Sequence, residues 1–521
     1  MSAASVAATL AVSLVGLEGH LVEVQTHVGR GLVAFTLVGL PDASVREARE
    51  RVRAALQSCG TEVRDRHMTV NLSPAGLPKH GSGFDLAIAM SVLAANGGIC
   101  AAAAADAVML GELGLDGALR PVPGILPSLI AAAREGVRRA VVPAACAAEA
   151  RLVPGIEVLG FDHLAEAVAW AGGRAERPRL LGPPGGPAEP RGIAPAQAGP
   201  SLDLADVRGQ ALGRRALEVA AAGGHHLFLI GEPGAGKTML ASRLATVLPE
   251  LDDQTAVEVT ALHSVAGAFD PSGGLIRTPP VERPHHSATM QALIGGGGGV
   301  PRPGAVSLAH GGVLILDEAA EFPPKALDAL RQPLEQGTVT IHRALATARY
   351  PAAFQLVLAT NPCPCGYRDS RKRSCTCTAP QRRRYLSRLS GPLLDRIDIQ
   401  VAMRAPTRAD LALDRADTSA RVRERVTRAR RRAARRWAGT PWALNSRLPG
   451  TWIREHAPLE PSLAADLDRW VDRGRISLRG ADRVLRLMWT LADLDGRDRP
   501  DDRDLGEAMT LRTGDRDERA A

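Results

Sequence analysis

Short apolar runs bounded by polar or turn residues fill the first third of the chain, and two periodicities alternate along it. Leu21-Val22-Glu23-Val24 and Met68-Thr69-Val70-Asn71 read as strands, while Ser44 to Cys59 and Phe84 to Ala95 read as helices. The apolar stretch Ala3 to Leu17 lacks a positively charged start and runs straight into Glu18, so it reads as a strand rather than a signal peptide. Together these define an α/β domain over residues 1–170. Between 171 and 200, fourteen of thirty residues are Gly or Pro, a composition that builds no core and marks a linker. Downstream, Leu227–Ile230, Val313–Leu316 and Gln355–Ala359 are continuous apolar runs, the pattern of parallel strands buried on both faces. They assign 201–405 to a second α/β domain. Strand signals fade beyond Ala405, and helical periodicity, as in Ala481 to Leu494, predicts a helical subdomain over 406–513 with a tail at 514–521.

Composition narrows the setting. A chain of 521 residues fits about three domains at ~150 residues each. No apolar run reaches the ~18–20 residues that span a bilayer, so no membrane is expected. Seven cysteines, an odd number, do not suit a secreted disulfide framework and predict a cytoplasmic protein. Lys plus Arg is 64 against 56 Asp plus Glu, a net charge of +8. Only Lys79, Lys237, Lys325 and Lys372 are lysines, so an Arg cluster says less here than usual and a well-placed Lys says more. The excess is still uneven. Asn361 to Gln400 holds nine basic and three acidic side chains, and Arg421 to Thr440 holds nine Arg and one Glu, local fields that attract polyanions.

The chemistry begins directly after the strand Leu227–Ile230. Gly231, Glu232, Pro233, Gly234, Ala235, Gly236, Lys237 and Thr238 match G-x-x-x-x-G-K-[ST] and precede a helical stretch, Met239–Leu248. The glycines let backbone N–H groups turn inward around phosphates, and the helix N-terminus adds partial positive charge. Lys237 is expected to reach the β- and γ-phosphates of ATP and Thr238 to ligate Mg²⁺. About eighty residues on, Val313–Leu316 ends in Asp317 and Glu318. The first carboxylate suits the Mg²⁺ shell and the second suits activation of the attacking water. A third strand, Gln355 to Thr360, ends in Asn361, which suits positioning that water or sensing the γ-phosphate. Three such strands followed by helices specify a P-loop αβα core with a helical C-terminal lid, the AAA+ arrangement.

Longer motifs carry a family resemblance. Arg-Pro-His285-His286-Ser-Ala-Thr, Leu-Arg331-Gln-Pro-Leu-Glu335, Asn361-Pro-Cys-Pro-Cys-Gly366 and Ser390-Gly-Pro-Leu-Leu-Asp-Arg396-Ile-Asp398 resemble the magnesium-chelatase-like AAA+ ATPases of the ComM/YifB family. Val38-Gly-Leu-Pro-Asp42 and Val70-Asn-Leu-Ser-Pro74 extend the likeness into the N-terminal domain, and Ser477-Leu-Arg479 extends it to the C-terminal subdomain. The resemblance implies a homo-oligomeric ring, usually a hexamer, with Arg396 as the arginine finger entering a neighbour's site and Arg479 as the lid-side sensor. The sequence departs from the family at Pro280-Val-Glu-Arg-Pro284 and at Ala305, where a Glu is common.

Gly111-Glu-Leu-Gly-Leu-Asp-Gly-Ala-Leu-Arg-Pro-Val-Pro-Gly124 resembles Lon-type proteolytic domains, implying a Lon protease/ribosomal protein S5-like α/β fold at the N-terminus. Such a peptidase needs a Ser nucleophile and a Lys base. Those positions fall on Gly83, with Ser82 one residue off, and on Leu126. The domain is therefore expected to lack peptidase activity. Cys363, Cys365, Cys375 and Cys377 form a C-x-C…C-x-C pair that suits four-thiolate Zn²⁺ or stands as free thiols, whereas Cys59, Cys100 and Cys146 read as core residues. Arg368, Arg371, Lys372, Arg373 and Arg382 to Arg384 suit DNA phosphates or a solvated face, and Gly337 to Arg343 reads as a hairpin of the kind that enters a ring's pore. The Arg421–Arg436 helix suits either role equally. His285 and His286 read as loop packing or hydrogen bonding. Three functions follow as expectations: a DNA motor acting on branched or single-stranded DNA in recombination, a chelatase motor subunit, or a non-proteolytic adaptor with a regulatory ATPase.

Overall fold

The computed structural model describes residues 5–29, 32–40, 42–61, 67–178, 202–297, 301–343, 346–370 and 373–514. Most of the expected linker, the tail beyond residue 514, and Arg371 and Lys372 lie outside the described residues.

The first strand is apolar apart from Ser5, Thr9 and Ser13. Ser5–Val15 pairs antiparallel with Glu18–Gly29 through a two-residue turn in which Gly16 has φ +70. They form the middle of a seven-stranded mixed sheet in the order Ala34–Val38, His67–Ser73, Glu18–Gly29, Ser5–Val15, Val108–Met109, Arg139–Pro143, Glu157–Phe161. The helix Asp85–Ala95 is buried along its entire length, as expected of a segment with almost no polar face. Cys59 and Cys146 are buried as expected, but Cys100 is exposed, because it stands in the turn before the short helix Ala101–Ala105.

The ATPase-like domain has a five-stranded parallel sheet in the order Val281–Glu282, Val313–Leu316, Gln355–Thr360, Leu227–Gly231, Ile399–Met403. Every residue of Val313–Leu316 and of Gln355–Thr360 is buried, which explains their unbroken apolar runs. The helix expected over Met239–Leu248 instead spans Lys237–Arg243 and gives way to a 3₁₀ turn at Ala245–Val247. Thr246 and Arg243, which close that turn, are tied to other elements by Ser419 and Asp206.

The two α/β domains are packed together. The Gly16 turn abuts the strand Thr347–Pro351, where a side chain at Gly16 would come within 2.9 Å of the Arg349 carbonyl. Gly124 N donates to Ser264 O at 3.2 Å, and the half-buried Glu149 accepts from Ser264 Oγ at 2.5 Å and from Leu126 N at 2.8 Å.

The C-terminal region is helical, with Ser419–Arg436, Gly450–His456, Pro461–Asp472, Leu478–Asp495 and Asp502–Thr513 sharing one core with the ATPase-like sheet. Trp437 meets Trp452 and Trp489 edge-on, both at 5.6 Å between ring centres. The arginine-rich helix combines a packed stripe, arginines held by partners, and exposed arginines such as Arg428, Arg431 and Arg435. Val422, Val426, Ala429 and Ala433 bury one stripe. Arg425 pairs with Glu218 and Asp417, Arg436 with Asp493, and Arg430 donates to the Ala221 carbonyl at 2.7 Å. Burial brings Arg430 down to about 10.

Candidate nucleotide site

The strand Leu227–Gly231 delivers the glycine-rich loop to the carboxyl edge of the sheet. Gly231 must lack a side chain, because a Cβ there would lie 2.2 Å from the Met403 carbonyl. Gly234 and Gly236 have φ +80 and +86, and a Cβ at either would meet nothing within 4 Å. This open, backbone-lined cradle at the start of the helix Lys237–Arg243 fits a triphosphate.

Lys237 lies under the cradle. Its Nζ donates to Gly231 O at 2.7 Å, Glu232 O at 3.0 Å and Asn361 Oδ1 at 3.0 Å. Burial lowers its pKa, opposed by the carboxylates of Asp317, Glu232 and Glu318. Thr238 Oγ1 donates to Asp317 Oδ2 at 2.7 Å, so two hard oxygen donors face each other where Mg²⁺ would be held. Asp317 Oδ1 accepts the Glu318 N–H at 2.9 Å. Glu318 has left-handed backbone angles, φ 52 and ψ 41, a conformation costing about 1–2 kcal/mol outside glycine. Its carboxylate faces His286 Nδ1 at 3.0 Å.

The structure thus brings Lys237, Thr238, Asp317, Glu318 and Asn361 to one edge of the sheet. It does not bring Arg396 or Arg479 there. Those two share a separate cavity of about 320 Å³ with Arg447, Arg483 and Arg486, and no P-loop residue lines it. Arg396 is held by the Pro392 carbonyl and the Glu335 carboxylate. Between the turn of Arg396 and the helix of Arg479 lies Asp398, which accepts from Arg483 Nη1 at 2.5 Å and faces His225 Nδ1 at 3.3 Å. Burial pushes the Asp398 carboxyl up, but His225 and Arg483 hold it well below the usual range.

Beside the P-loop, the four clustered cysteines converge. Cys363 Sγ lies 3.4 Å from Cys365 Sγ and 3.7 Å from Cys375 Sγ, and all four sulfurs lie within 4.8 Å of one another. Tetrahedral Zn²⁺ with Zn–S of ~2.3 Å sets its sulfurs ~3.8 Å apart, so the donor set fits that ion. Gly366 packs so closely on Pro233 that a Cβ would lie 2.6 Å from its ring, which ties this loop to the P-loop. Arg373 donates to Tyr367 Oη at 3.0 Å and lies over its ring, while Arg368, Arg382 and Arg383 line one shallow cavity.

Two contributors went unread in the sequence. Gln210 supports the P-loop from below, donating to Ala235 O at 2.9 Å and Arg404 O at 2.6 Å. His286, expected to serve loop packing or hydrogen bonding, lies against the Glu318 carboxylate as an ion-pair neighbour. In the N-terminal domain, Leu126 is buried, Ser82 Oγ donates to Glu112, and Lys79 is fully buried with Nζ on the Pro74 carbonyl.

A parallel sheet in this order, a phosphate cradle, paired strand-end carboxylates and a packed helical lid define a P-loop AAA+ type ATPase. Three family models agree: magnesium chelatase subunit ChlI over residues 203–411, subunit ChlI of Mg-chelatase over 24–146, and the ChlI C-terminal region over 416–512. An uncharacterised protein of Mycobacterium tuberculosis is 46% identical, over 96% of this chain and 97% of its own. The uncharacterised protein YifB of Escherichia coli is 40% identical over 96% of both chains, and competence protein ComM of Haemophilus influenzae is 39% identical over 95% of both. Lon protease 2 of Bacillus subtilis is 33% identical over 147 residues, 27% of this chain and 26% of its own. The chain belongs to the magnesium-chelatase-like AAA+ ATPases of the ComM/YifB family. Among the described residues, no helix is long and apolar enough to cross a membrane.

Proposed function

We propose that the protein is an ATP-driven ring motor that acts on DNA, a helicase promoting branch migration during recombination. The observation that carries the ring is the cavity lined by both Arg396 and Arg479, remote from their own P-loop. A second copy whose P-loop faces that cavity would receive both cations, which supports a closed homo-oligomer, in this family usually a hexamer. The domain division at 1–170, 201–405 and 406–513 is part of this reading. DNA as the substrate is supported by two neighbouring hairpins in the ATPase domain, by the basic residues around Arg368 and Arg382, and by a relative that carries competence in its name. The family models carry a chelatase name, which keeps metal insertion as the competing function.

In hydrolysis, the loop N–H groups from Gly234 to Thr238 and the Lys237 ammonium hold the phosphates. Thr238 and Asp317 would hold Mg²⁺, which would supply neutralising charge at the phosphate oxygens. Glu318 orients the attacking water and takes its proton, with Asn361 beside it. Arg396 and Arg479 of the adjoining copy stabilise the transferring phosphoryl group. The N-terminal domain serves as a non-proteolytic scaffold, and the four cysteines would hold Zn²⁺ as a clasp on the P-loop's flank. Elemental analysis should find about one zinc per chain, lost in Cys363→Ser/Cys375→Ser protein. ATP turnover measured with and without branched or single-stranded DNA tests the motor. Stimulation by DNA, weakened by salt and by charge reversal at Arg373, is expected. Turnover indifferent to DNA removes the helicase reading.

A further inference from the structure

The cavity that holds Arg396 and Arg479 is organised around one buried carboxylate. Asp398 stands two residues beyond Arg396, immediately before the strand Ile399–Met403, and is 1% exposed. Its Oδ1 accepts from Arg483 Nη1 at 2.5 Å, and its Oδ2 lies 3.3 Å from both His225 Nδ1 and the His226 backbone nitrogen. Arg479 and Arg483 are four residues apart on the helix Leu478–Asp495, one turn along the same face. His225 and His226 directly precede the strand Leu227–Gly231, which carries the P-loop at its other end. One carboxylate therefore joins the turn of Arg396, the helix of Arg479 and the root of the P-loop strand.

The same helix is held again two turns further on. His225 Nε2 lies 2.8 Å from Thr490 Oγ1, and Asn445 Nδ2 donates to that oxygen at 3.1 Å and to Asp493 Oδ2 at 2.9 Å. Asp493 in turn pairs with Arg436. These bonds seat the lid on the core independently of the Asp398–Arg483 pair, so what that pair adds is local: it fixes the end of the helix that carries Arg479. Arg396 Nε, Arg483 Nε and Arg486 Nε are buried without a hydrogen-bond partner among the described residues, so the guanidinium groups lining the cavity keep donors for a further acceptor. An aspartate among five arginines weakens their attraction for phosphate, so its contribution is orientation and not field.

We propose that Asp398 is a positioning residue that sets Arg396 and Arg479 at a fixed separation, through Arg483, so that both reach the phosphates of the neighbouring copy together. This rests on the reading of those two arginines as cations supplied to a neighbour. Asp398 acts through them and not on the nucleotide. Without its charge both arginines remain, but the first turn of the helix of Arg479 is free to shift against the turn of Arg396. A displacement of about 1 Å in such a group costs about 10²-fold in rate. The loss falls on the site of the adjoining subunit, while the subunit carrying the change keeps a working P-loop of its own.

The test reads ATP turnover of full-length Asp398→Asn, alone and mixed with Glu318→Gln or Arg396→Ala protein. Alone, its kcat should fall roughly 10²-fold, with the KM for ATP within about twofold of wild type. Mixed with Glu318→Gln, whose arginines are intact and held, activity should recover wherever they face the P-loop of an Asp398→Asn subunit. Mixed with Arg396→Ala it should not, because neither partner supplies a positioned finger. Arg483→Gln, at the other end of the bond, should show the same asymmetry and decides the question if Asp398→Asn does not fold. Arg483→Lys, which keeps a cation for Asp398, should restore part of the rate. Wild-type turnover by folded Asp398→Asn overturns the proposal, as does recovery in both mixtures or in neither. Arg396→Ala mixed with Glu318→Gln is the control. Failure of that control to recover overturns the ring reading and the proposal with it, whereas a control that recovers beside Asp398→Asn mixtures without the asymmetry overturns the positioning role alone.

Discussion

Lys237 and Lys79 are the two lysines buried among the described residues, and their surroundings could hardly differ more. Burial lowers the pKa of both. Around Lys237 the carboxylates of Asp317, Glu232 and Glu318 oppose that shift, and its donors point at two loop carbonyls and Asn361 beside an open cradle. Lys79 has desolvation as its cause of shift and the Pro74 carbonyl as its partner, inside a closed fold. A buried ammonium is costly unless its environment supplies compensating charge. The P-loop lysine has that charge and room for phosphates. The N-terminal lysine has neither, and its full burial on the Pro74 carbonyl suits a structural peg.

The contrast is sharpened most by the largest expected effect, at Arg396. Arginine fingers contribute about 10³–10⁵ in rate, so Arg396→Ala should bind ATP, keep its fold and hydrolyse that much more slowly. Glu318→Gln should also be inactive alone. Mixed rings should regain activity wherever an intact Arg396 faces an intact Glu318. Turnover that does not recover on mixing would place the arginine's action within one chain and break the ring argument.

Next come the residues on the P-loop side of the comparison. Lys237→Ala should lose nucleotide affinity, and Glu318→Gln should keep it while turnover falls about 10²–10⁴-fold. Equilibrium binding of a fluorescent ATP analogue, read beside steady-state hydrolysis, separates the two. Full turnover by Glu318→Gln would remove its role as base.

The N-terminal side should respond in a different quantity. Lys79→Ala removes a fully buried stem and orphans the Pro74 carbonyl, so it should lower stability by about 2–5 kcal/mol. Turnover per folded molecule should stay within about twofold of wild type. Chemical denaturation followed by intrinsic fluorescence reads the first, and hydrolysis reads the second. Degradation of an unfolded protein by the pure wild type, abolished in Ser82→Ala, would show that the peptidase comparison is drawn on the wrong residues.

How much of this was legible in the sequence follows from how local each signal is. The glycine cradle, Lys237 and Thr238 are contiguous, and Asp317, Glu318 and Asn361 each end an unbroken apolar strand, so one pattern places all of them. The four cysteines announced themselves by spacing, and the structure draws their sulfurs together. Gln210 was invisible because its partner Arg404 lies almost two hundred residues away. His286 could be seen as a polar loop residue, but its pairing with Glu318 depends on which strand borders Val313–Leu316 in the sheet. In the Arg421–Arg436 run, composition hides that Arg425 and Arg430 tie the helix to Glu218 and Ala221 and that Arg436 pairs with Asp493, while Arg428, Arg431 and Arg435 stay exposed. Cys100 was placed inside on residue type, and its turn position exposes it.

The smallest expected effect concerns Glu282, on the edge strand that leads to His286. Burial raises its carboxyl to about 7, with no cationic partner to oppose the shift. An acid whose pKa is higher folded than unfolded favours the folded state only while it stays protonated there. Below about pH 4.5 both states are protonated and the residue is neutral in its effect. As pH rises from there toward 7, the unfolded chain ionises first, and stability declines. Above 7 both states are ionised and the loss levels off. Glu282→Gln, which cannot ionise, should match wild type near pH 4.5 and exceed it by about 1–2 kcal/mol near pH 8, the edge position moderating the effect. Melting temperatures of the two proteins across that range provide the measurement. Parallel curves would mean that water reaches the carboxylate, and that this edge of the sheet is more open than its burial implies.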